Sequence, residues 1–164
     1  MAIVRHIAAV SLAVLAGTAA TEARADPVVR APAGAVRGVA AGGQHVFKGV
    51  PYALAPVGER RWRPPLPVPA WRAVRDATAF GPACQQPSAP PSSIYAEVYP
   101  AMSEDCLSLN VWAPATARNA PVFVSIHGGN LVRGSSQQAM FDGAAIFASA
   151  RSKLSTELNF SVSF

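Results

Sequence analysis

Proline density constrains the fold of this chain more than any other feature of its sequence. Of the 15 prolines, 11 fall between residues 51 and 100. Because proline removes a backbone N–H group and fixes φ, neither a helix nor a central strand extends far through such a segment. We therefore predict an ordered but irregular surface excursion there.

The sequence offers little apolar side-chain volume to a core. Its 164 residues fit about one domain, and 51% of them are hydrophobic, but many of these are alanine, which buries little surface. From Asp26 onward, leucine, isoleucine, valine and phenylalanine make up 32 of 139 residues, just above the level at which chains stay unfolded. We therefore do not expect a self-sufficient core.

Residues 1–25 have the pattern of a secretory signal peptide. A short basic start precedes an uncharged apolar run over 7–20, and Ala23-Arg24-Ala25 places alanine at the two positions that a signal peptidase reads. A membrane anchor needs about 20 apolar residues, and this run is shorter. We expect cleavage after Ala25, a secreted or periplasmic location, and no stable membrane span in the cleaved chain.

The cleaved chain is basic, with 12 Arg or Lys residues against 8 Asp or Glu. Such a balance is compatible with nucleic acid or an anionic surface as a partner. The cations are spread along the sequence, however, apart from the cluster Arg60-Arg61-Trp62-Arg63. Together with the expected export, this favours a solvated basic surface and no nucleic-acid partner.

Cys84 and Cys106 are the two cysteines of the sequence. An even count in an exported chain predicts one disulfide, which would enclose 21 residues and stabilise the fold by about 3 kcal/mol. A metal site built with His45 and His127 is the alternative, but no two of these four residues have the short spacings of zinc ligands. We expect neither a metal nor another cofactor.

Two kinds of extended segment flank the proline-rich excursion. Before it, residues 28–29, 35–39 and 45–50 alternate with glycine turns and predict a meander of short strands. After it, residues 107–112 (LSLNVW) alternate, with both leucines and the valine on one side, which predicts a strand with one apolar face.

Residues 122–126 (VFVSI) are almost continuously apolar, which predicts a strand buried on both faces of a sheet. The strand ends in His127-Gly128-Gly129-Asn130, where glycines allow a sharp turn with accessible backbone N–H groups. Adjacent N–H groups directed at one point stabilise a developing oxyanion, and open α/β sheets bind ligands at such strand ends. For these four residues alone, an ordinary tight turn is the alternative.

Seven blocks of sequence occur in order between residues 47 and 129. They are FKGVPYA (47–53), PVGERRW (56–62) with PP (64–65), Trp71, DAT (76–78), FGPAC (80–84), SEDCLSLNVW (103–112) and HGG (127–129). In order and spacing they resemble the N-terminal part of the type-B carboxylesterase family, which includes the cholinesterases. The resemblance assigns residues 26–150 to the N-terminal part of a type-B carboxylesterase domain.

The resemblance implies an α/β-hydrolase fold, in which a small β-meander and a disulfide loop precede the first strands of the main sheet. It implies that Cys84 pairs with Cys106 and that an ion pair between Arg61 and Glu104 holds the excursion to the disulfide loop. An exposed pair of this kind contributes about 0–1 kcal/mol. The implied activity is hydrolysis of a small-molecule carboxylic ester through a serine nucleophile, a histidine base and an acidic partner.

The family's oxyanion-hole positions fall on Gly129 and Asn130, with Gly128 shaping the turn. Asn130 departs from the family, whose usual residue there is a third glycine. Asparagine tolerates left-handed backbone better than most residues, so its N–H group can stay in place. Its side chain could still crowd the acyl oxygen.

No catalytic residue is assigned in this chain. The α/β-hydrolase nucleophile stands in G-x-S-x-G, with the acid and then the histidine following, and the motif does not occur in these 164 residues. Ser135 and Ser136 follow Gly134 in the family's loop after the oxyanion turn and are interpreted as loop residues. Neither His45 nor His127 occupies the place of the base in that order.

Residues 151–164 depart from the family and are interpreted as a divergent C-terminal tail. The family has an apolar strand after a short helix around 141–150. Residues 151–157 are too polar for a central strand, and residues 158–160 resemble the end of the family's strand.

Three hypotheses are compatible with these observations. The first is an exported type-B carboxylesterase represented by its N-terminal portion, a fragment that is inactive alone because it lacks the nucleophile. The second is an exported non-catalytic domain that uses the esterase fold as a binding or structural surface. The third is an unstable product of a broken gene. The seven blocks favour the first.

Overall fold

The computed structural model describes residues 25–94, residues 96–145 and the backbone of a strand at 158–162. The predicted signal peptide lies outside this part of the chain except for its last residue. Within the described residues, no helix has the length and apolar character needed to cross a membrane.

Eight β-strands are found in the described part of the chain. They are β1 (Val28–Ala31), β2 (Gly34–Arg37), β3 (Val39–Ala41), β4 (Gln44–Pro51), β5 (Arg75–Asp76), β6 (Ser108–Pro114), β7 (Val122–Ile126) and β8 (Leu158–Val162). They form one sheet with the order β1-β2-β5 and a second, larger sheet with the order β3-β4-β6-β8-β7.

The predicted meander is divided between the two sheets. β1 pairs antiparallel with β2 in the small sheet, and β3 pairs antiparallel with β4 in the large one. The two sheets meet at a small core in which Val36 of β2, Phe47 of β4 and Ala77 are buried against one another. The modest size of this core agrees with the low content of large apolar residues.

The backbone between β4 and β6 is irregular, as the proline density predicts. In the described residues it contains a 3-10 helix at Gly58–Arg60 and the two-residue strand β5, which pairs parallel with β2. Trp71 ties this excursion to the meander, because its backbone N–H donates to Ala33 O at 2.7 Å and its indole N–H donates to Ala35 O at 2.9 Å.

β6 alternates as predicted, but its more buried face is the opposite one. Ser108, Asn110 and Trp112 are buried, while the predicted apolar face is only half-buried. Asn110 Oδ1 accepts a hydrogen bond from Gly49 N at 2.9 Å, and Asn110 Nδ2 donates to Ser136 Oγ at 2.9 Å. The predicted strand and its alternation are therefore confirmed, and the polar face is the more buried one because the Asn110 amide has hydrogen-bond partners on both its oxygen and its nitrogen.

β7 is an exposed edge strand. One edge pairs parallel with β8, and Val122, Phe123, Val124 and Ile126 are 47–61% exposed. The prediction that residues 122–126 are buried on both faces is therefore wrong within the described structure. An apolar sequence indicates that a strand is suited to a buried position. In the described structure no element covers β7.

β8 brings part of the predicted tail into the large sheet. The backbone of β8 lies between β6 and β7, antiparallel to the former and parallel to the latter. Residues 146–157, which include the polar stretch of that tail, lie outside the described part. Of the helix predicted around 141–150, the structure describes a 3-10 helix at Ala139–Phe141 and a helical turn at 143–145.

Candidate functional site

A tight turn begins directly after β7, at His127-Gly128-Gly129-Asn130. Its backbone is left-handed over three successive residues, with φ of 132° at Gly129, 56° at Asn130 and 57° at Leu131. Asparagine adopts this conformation at small cost, so the departure from a third glycine fits the turn. Leucine does not, and Leu131 is therefore a strained position.

Gly129 closes the turn on itself. Its carbonyl accepts hydrogen bonds from Val132 N at 3.1 Å and Arg133 N at 3.2 Å. The residue is buried, and a Cβ atom there would overlap the carbonyl oxygen of Arg133. Only glycine fits this position without moving the loop.

Two backbone donors of the turn are uncommitted. Among the residues that the structure describes, neither Gly129 N–H nor Asn130 N–H donates to a backbone or side-chain acceptor. The turn forms part of the wall of a pocket of about 660 Å³, which is lined by residues 84–86 and 126–134. Adjacent free N–H groups at a pocket wall are suited to binding a negatively charged oxygen.

His127 supports the turn. Its Nδ1 lies 2.9 Å from Gly128 O, and since a carbonyl oxygen only accepts, Nδ1 carries the proton in this hydrogen bond. The imidazole also packs at a tilt against Phe141, with ring centroids 6.4 Å apart. These contacts hold the His127 side chain next to the turn that carries the two N–H donors.

Gln86 fixes the far side of the same loop. Its side-chain amide accepts from Gly134 N at 2.7 Å and donates to Gly134 O at 2.9 Å. The same Nε2 lies 3.1 Å from Cys84 O. A Cβ atom at Gly134 would overlap Gly128 O, so the residue that Gln86 holds packs directly against the turn.

The two cysteines form the expected disulfide, Cys84–Cys106. They are therefore not metal ligands, and the described residues contain no cluster of three His, Cys, Asp or Glu suited to a metal ion. The structure also brings Arg61 and Glu104 together, with Nη2 and Oε1 separated by 3.1 Å. Both side chains are more than a third exposed, so the pair stabilises the loop only weakly.

The two serines after Gly134 have structural roles. Ser135 and Ser136 are 1% and 2% exposed. Ser135 Oγ accepts a hydrogen bond from Gln137 N at 3.1 Å, and Ser136 Oγ accepts one from Asn110. A buried hydroxyl in such a position is not presented to a substrate, which agrees with their interpretation as loop residues.

Gln86 and Asn110 are the site-supporting residues that sequence reasoning missed. Asn110 left a weak signal, because an amide within an otherwise strand-forming segment needs hydrogen-bond partners when it is buried. For Gln86 the sequence contains no signal beyond its position two residues after Cys84, because its partner Gly134 is 48 residues away in the chain.

The arrangement defines a class of protein. A sheet of mixed strand directions, a disulfide loop beside it and a glycine turn at the carboxyl end of β7 form part of an α/β-hydrolase fold. The sequence profile of the carboxylesterase family matches residues 25–152. The chain belongs to this family.

Individual relatives of the chain are named as an esterase and a hydrolase. The chain is 44% identical over 122 residues to para-nitrobenzyl esterase of Bacillus subtilis, and this match covers 74% of the chain and 25% of the relative. It is 45% identical over 112 residues to phenmedipham hydrolase of Pseudarthrobacter oxydans, covering 66% and 23%. The chain thus spans about a quarter of the length of these relatives.

Solved structures of esterases also superpose on the chain. A PNB esterase superposes with a TM-score of 0.76 at 38% identity, covering 85% of this chain and 28% of that one. A carboxylesterase of Geobacillus stearothermophilus superposes with a TM-score of 0.70 at 40% identity, covering 84% and 26%.

Proposed function

We propose that this chain supplies the oxyanion-stabilising part of a carboxylic ester hydrolase acting on a small-molecule ester. The observation that carries the proposal is the pair of uncommitted N–H groups at Gly129 and Asn130, in a turn that lines a pocket. Membership of the carboxylesterase family supports the same chemistry.

The proposed contribution to catalysis is electrostatic. Attack of a hydroxyl on an ester carbonyl forms a tetrahedral intermediate whose oxygen carries a negative charge, and fixed N–H donors stabilise that charge as it develops. Loss of one such donor costs roughly 3–4 kcal/mol of transition-state stabilisation. The chain has no G-x-S-x-G nucleophile, so on its own it is proposed to hydrolyse no ester.

We place this function outside the cytoplasm. The signal-like residues 1–25 support export, and so does the disulfide between Cys84 and Cys106, because disulfides persist in oxidising compartments.

A second candidate is an exported non-catalytic domain that retains the turn as a binding surface. The burial of Ser135 and Ser136, together with the missing nucleophile motif, favours this hypothesis for the chain taken alone. It predicts that the isolated chain melts cooperatively and hydrolyses no p-nitrophenyl ester.

A chimeric enzyme tests the first proposal directly. Residues 26–145 would replace the matching segment of Bacillus subtilis para-nitrobenzyl esterase, which supplies the remainder of the fold. We expect hydrolysis of p-nitrophenyl acetate by this chimera, and a loss of about 100-fold or more in kcat for Gly129→Ala, because the added Cβ displaces the donors.

Gly42→Ala is the matched control. Gly42 also has a positive φ, of 57°, but its Cβ position is open and it does not line the pocket, so this variant tests alanine at a positive φ without a steric overlap at the turn. We expect it to retain the kcat of the chimera. A folded Gly129→Ala chimera with unchanged kcat would overturn the proposal.

A further inference from the structure

Arg133 is the one residue with a permanently charged side chain among those that line the pocket at the turn. The other residues that line it are apolar, glycine, amide-bearing or cysteine, apart from His127, and no carboxylate is among them. The residues around this pocket therefore include one cation and no carboxylate, beside the free N–H groups of the turn.

Arg133 has unused hydrogen-bonding capacity. Its Nη1 donates to Ser88 O at 3.3 Å, which occupies one of the five N–H groups of a guanidinium. The ion pairs of the described residues are Arg37–Asp76 and Arg61–Glu104, so no described carboxylate neutralises Arg133.

The position of Arg133 is tied to the turn. Its backbone N–H donates to Gly129 O, and its own carbonyl fills the space next to Gly129 where a side chain would lie. The cation and the candidate oxyanion donors are thus held on one closed loop. A ligand that places one oxygen at the turn therefore meets a loop that carries a cation, to which a second, anionic group can bind.

We infer that Arg133 is a specificity-determining residue that selects esters carrying a separate carboxylate, such as monoesters of dicarboxylic acids. The inference rests on the proposed esterase function for its biological meaning. A guanidinium binds a carboxylate through charge-assisted, often bidentate hydrogen bonds, which a neutral ester group cannot form.

Binding to the purified chain tests this inference without any need for turnover. The probes are monomethyl succinate, which is anionic at pH 7, and dimethyl succinate, which is neutral. In titrations followed by backbone amide NMR, we expect the monoester to shift the resonances of Gly129 and Asn130 with an affinity about tenfold higher than that of the diester. Added salt should reduce this preference.

Arg133→Gln should abolish the preference while preserving the dispersed amide spectrum of a folded chain. Arg118→Gln removes the same charge from an exposed turn outside the pocket and should retain the preference. Equal binding of the two esters, no saturable shift with either, or an unaltered preference in Arg133→Gln would each overturn the inference.

The chimera separates this inference from the proposed function. A chimera that hydrolyses p-nitrophenyl acetate and depends on Gly129, yet shows no Arg133-dependent preference for the monoester, would leave the esterase proposal standing and remove this one. An inactive chimera with an intact Arg133-dependent preference in the isolated chain would do the reverse.

Discussion

Gln86 and Gly134 exchange two hydrogen bonds across 48 positions of sequence, the Gln86 amide oxygen accepting from Gly134 N and its amide nitrogen donating to Gly134 O. A side chain that mimics a strand partner in this way fixes both the position and the orientation of the peptide groups it holds. Because Gly134 packs against Gly128 O, the disulfide loop helps to fix the geometry of the turn at residues 127–130.

Gln86→Ala should therefore weaken both fold and site. We expect the free energy of unfolding to fall by about 1–3 kcal/mol, since buried partners lose their hydrogen bonds. In the chimera, kcat should fall more than KM rises, because the displaced N–H donors act on charge that develops in the transition state. Denaturant titration and steady-state kinetics measure the two effects.

Gln85→Ala is the control for Gln86. Gln85 is exposed, and its amide makes one long hydrogen bond, of 3.4 Å, to Met102 O. Its removal should change the unfolding free energy by less than about 0.5 kcal/mol. Equal effects of the two substitutions would contradict the role assigned to Gln86.

Asn110 links β4, β6 and the loop after the turn. Asn110→Leu keeps the branched shape of the side chain but leaves Gly49 N–H without its acceptor and removes a donor from Ser136. We expect a loss of about 2–4 kcal/mol in unfolding free energy, more than for Ser136→Ala, which deletes one of the two links. A double-mutant cycle measures the coupling, and additive effects of the two substitutions would contradict the network.

The parts of the structure that local sequence determines were predictable. Proline density indicated the irregular excursion, two cysteines in a chain with a signal-like start indicated the disulfide, and HGGN indicated the turn. These features depend on backbone conformations that single residue types permit or forbid.

Features that depend on distant partners were not predictable from one sequence. The burial of Asn110 on β6 and the hydrogen bonds between Gln86 and Gly134 depend on which segments lie next to each other in the folded chain. The exposure of β7 could not be predicted for the same reason. Its apolar pattern indicates that the strand is suited to a buried position, but not which elements would cover it.

Leu131 is strained by its left-handed backbone and gains nothing from burial, because its side chain is fully exposed. Leu131→Gly should remove roughly 1–2 kcal/mol of strain while adding about 0.5–1 kcal/mol of unfolded-chain entropy. We expect a net gain of up to about 1.5 kcal/mol in unfolding free energy. Val132→Gly, at a neighbouring exposed site without a positive φ, should instead destabilise, and a gain there too would contradict the strain argument.

β7 predicts self-association of the chain. Among the described strands, β7 lies at the edge of the large sheet with apolar side chains exposed on both faces, and such an edge is a template for pairing with another chain. Val124→Lys introduces a charge in the middle of that edge and should suppress concentration-dependent association in sedimentation velocity experiments. Val74→Lys places the same charge at a site of equal exposure, 53%, outside the large sheet, and should associate like the parent. If all three chains remain monomeric over the same concentration range, the edge of β7 does not drive association; if both lysine variants dissociate equally, net charge and not strand pairing is the cause.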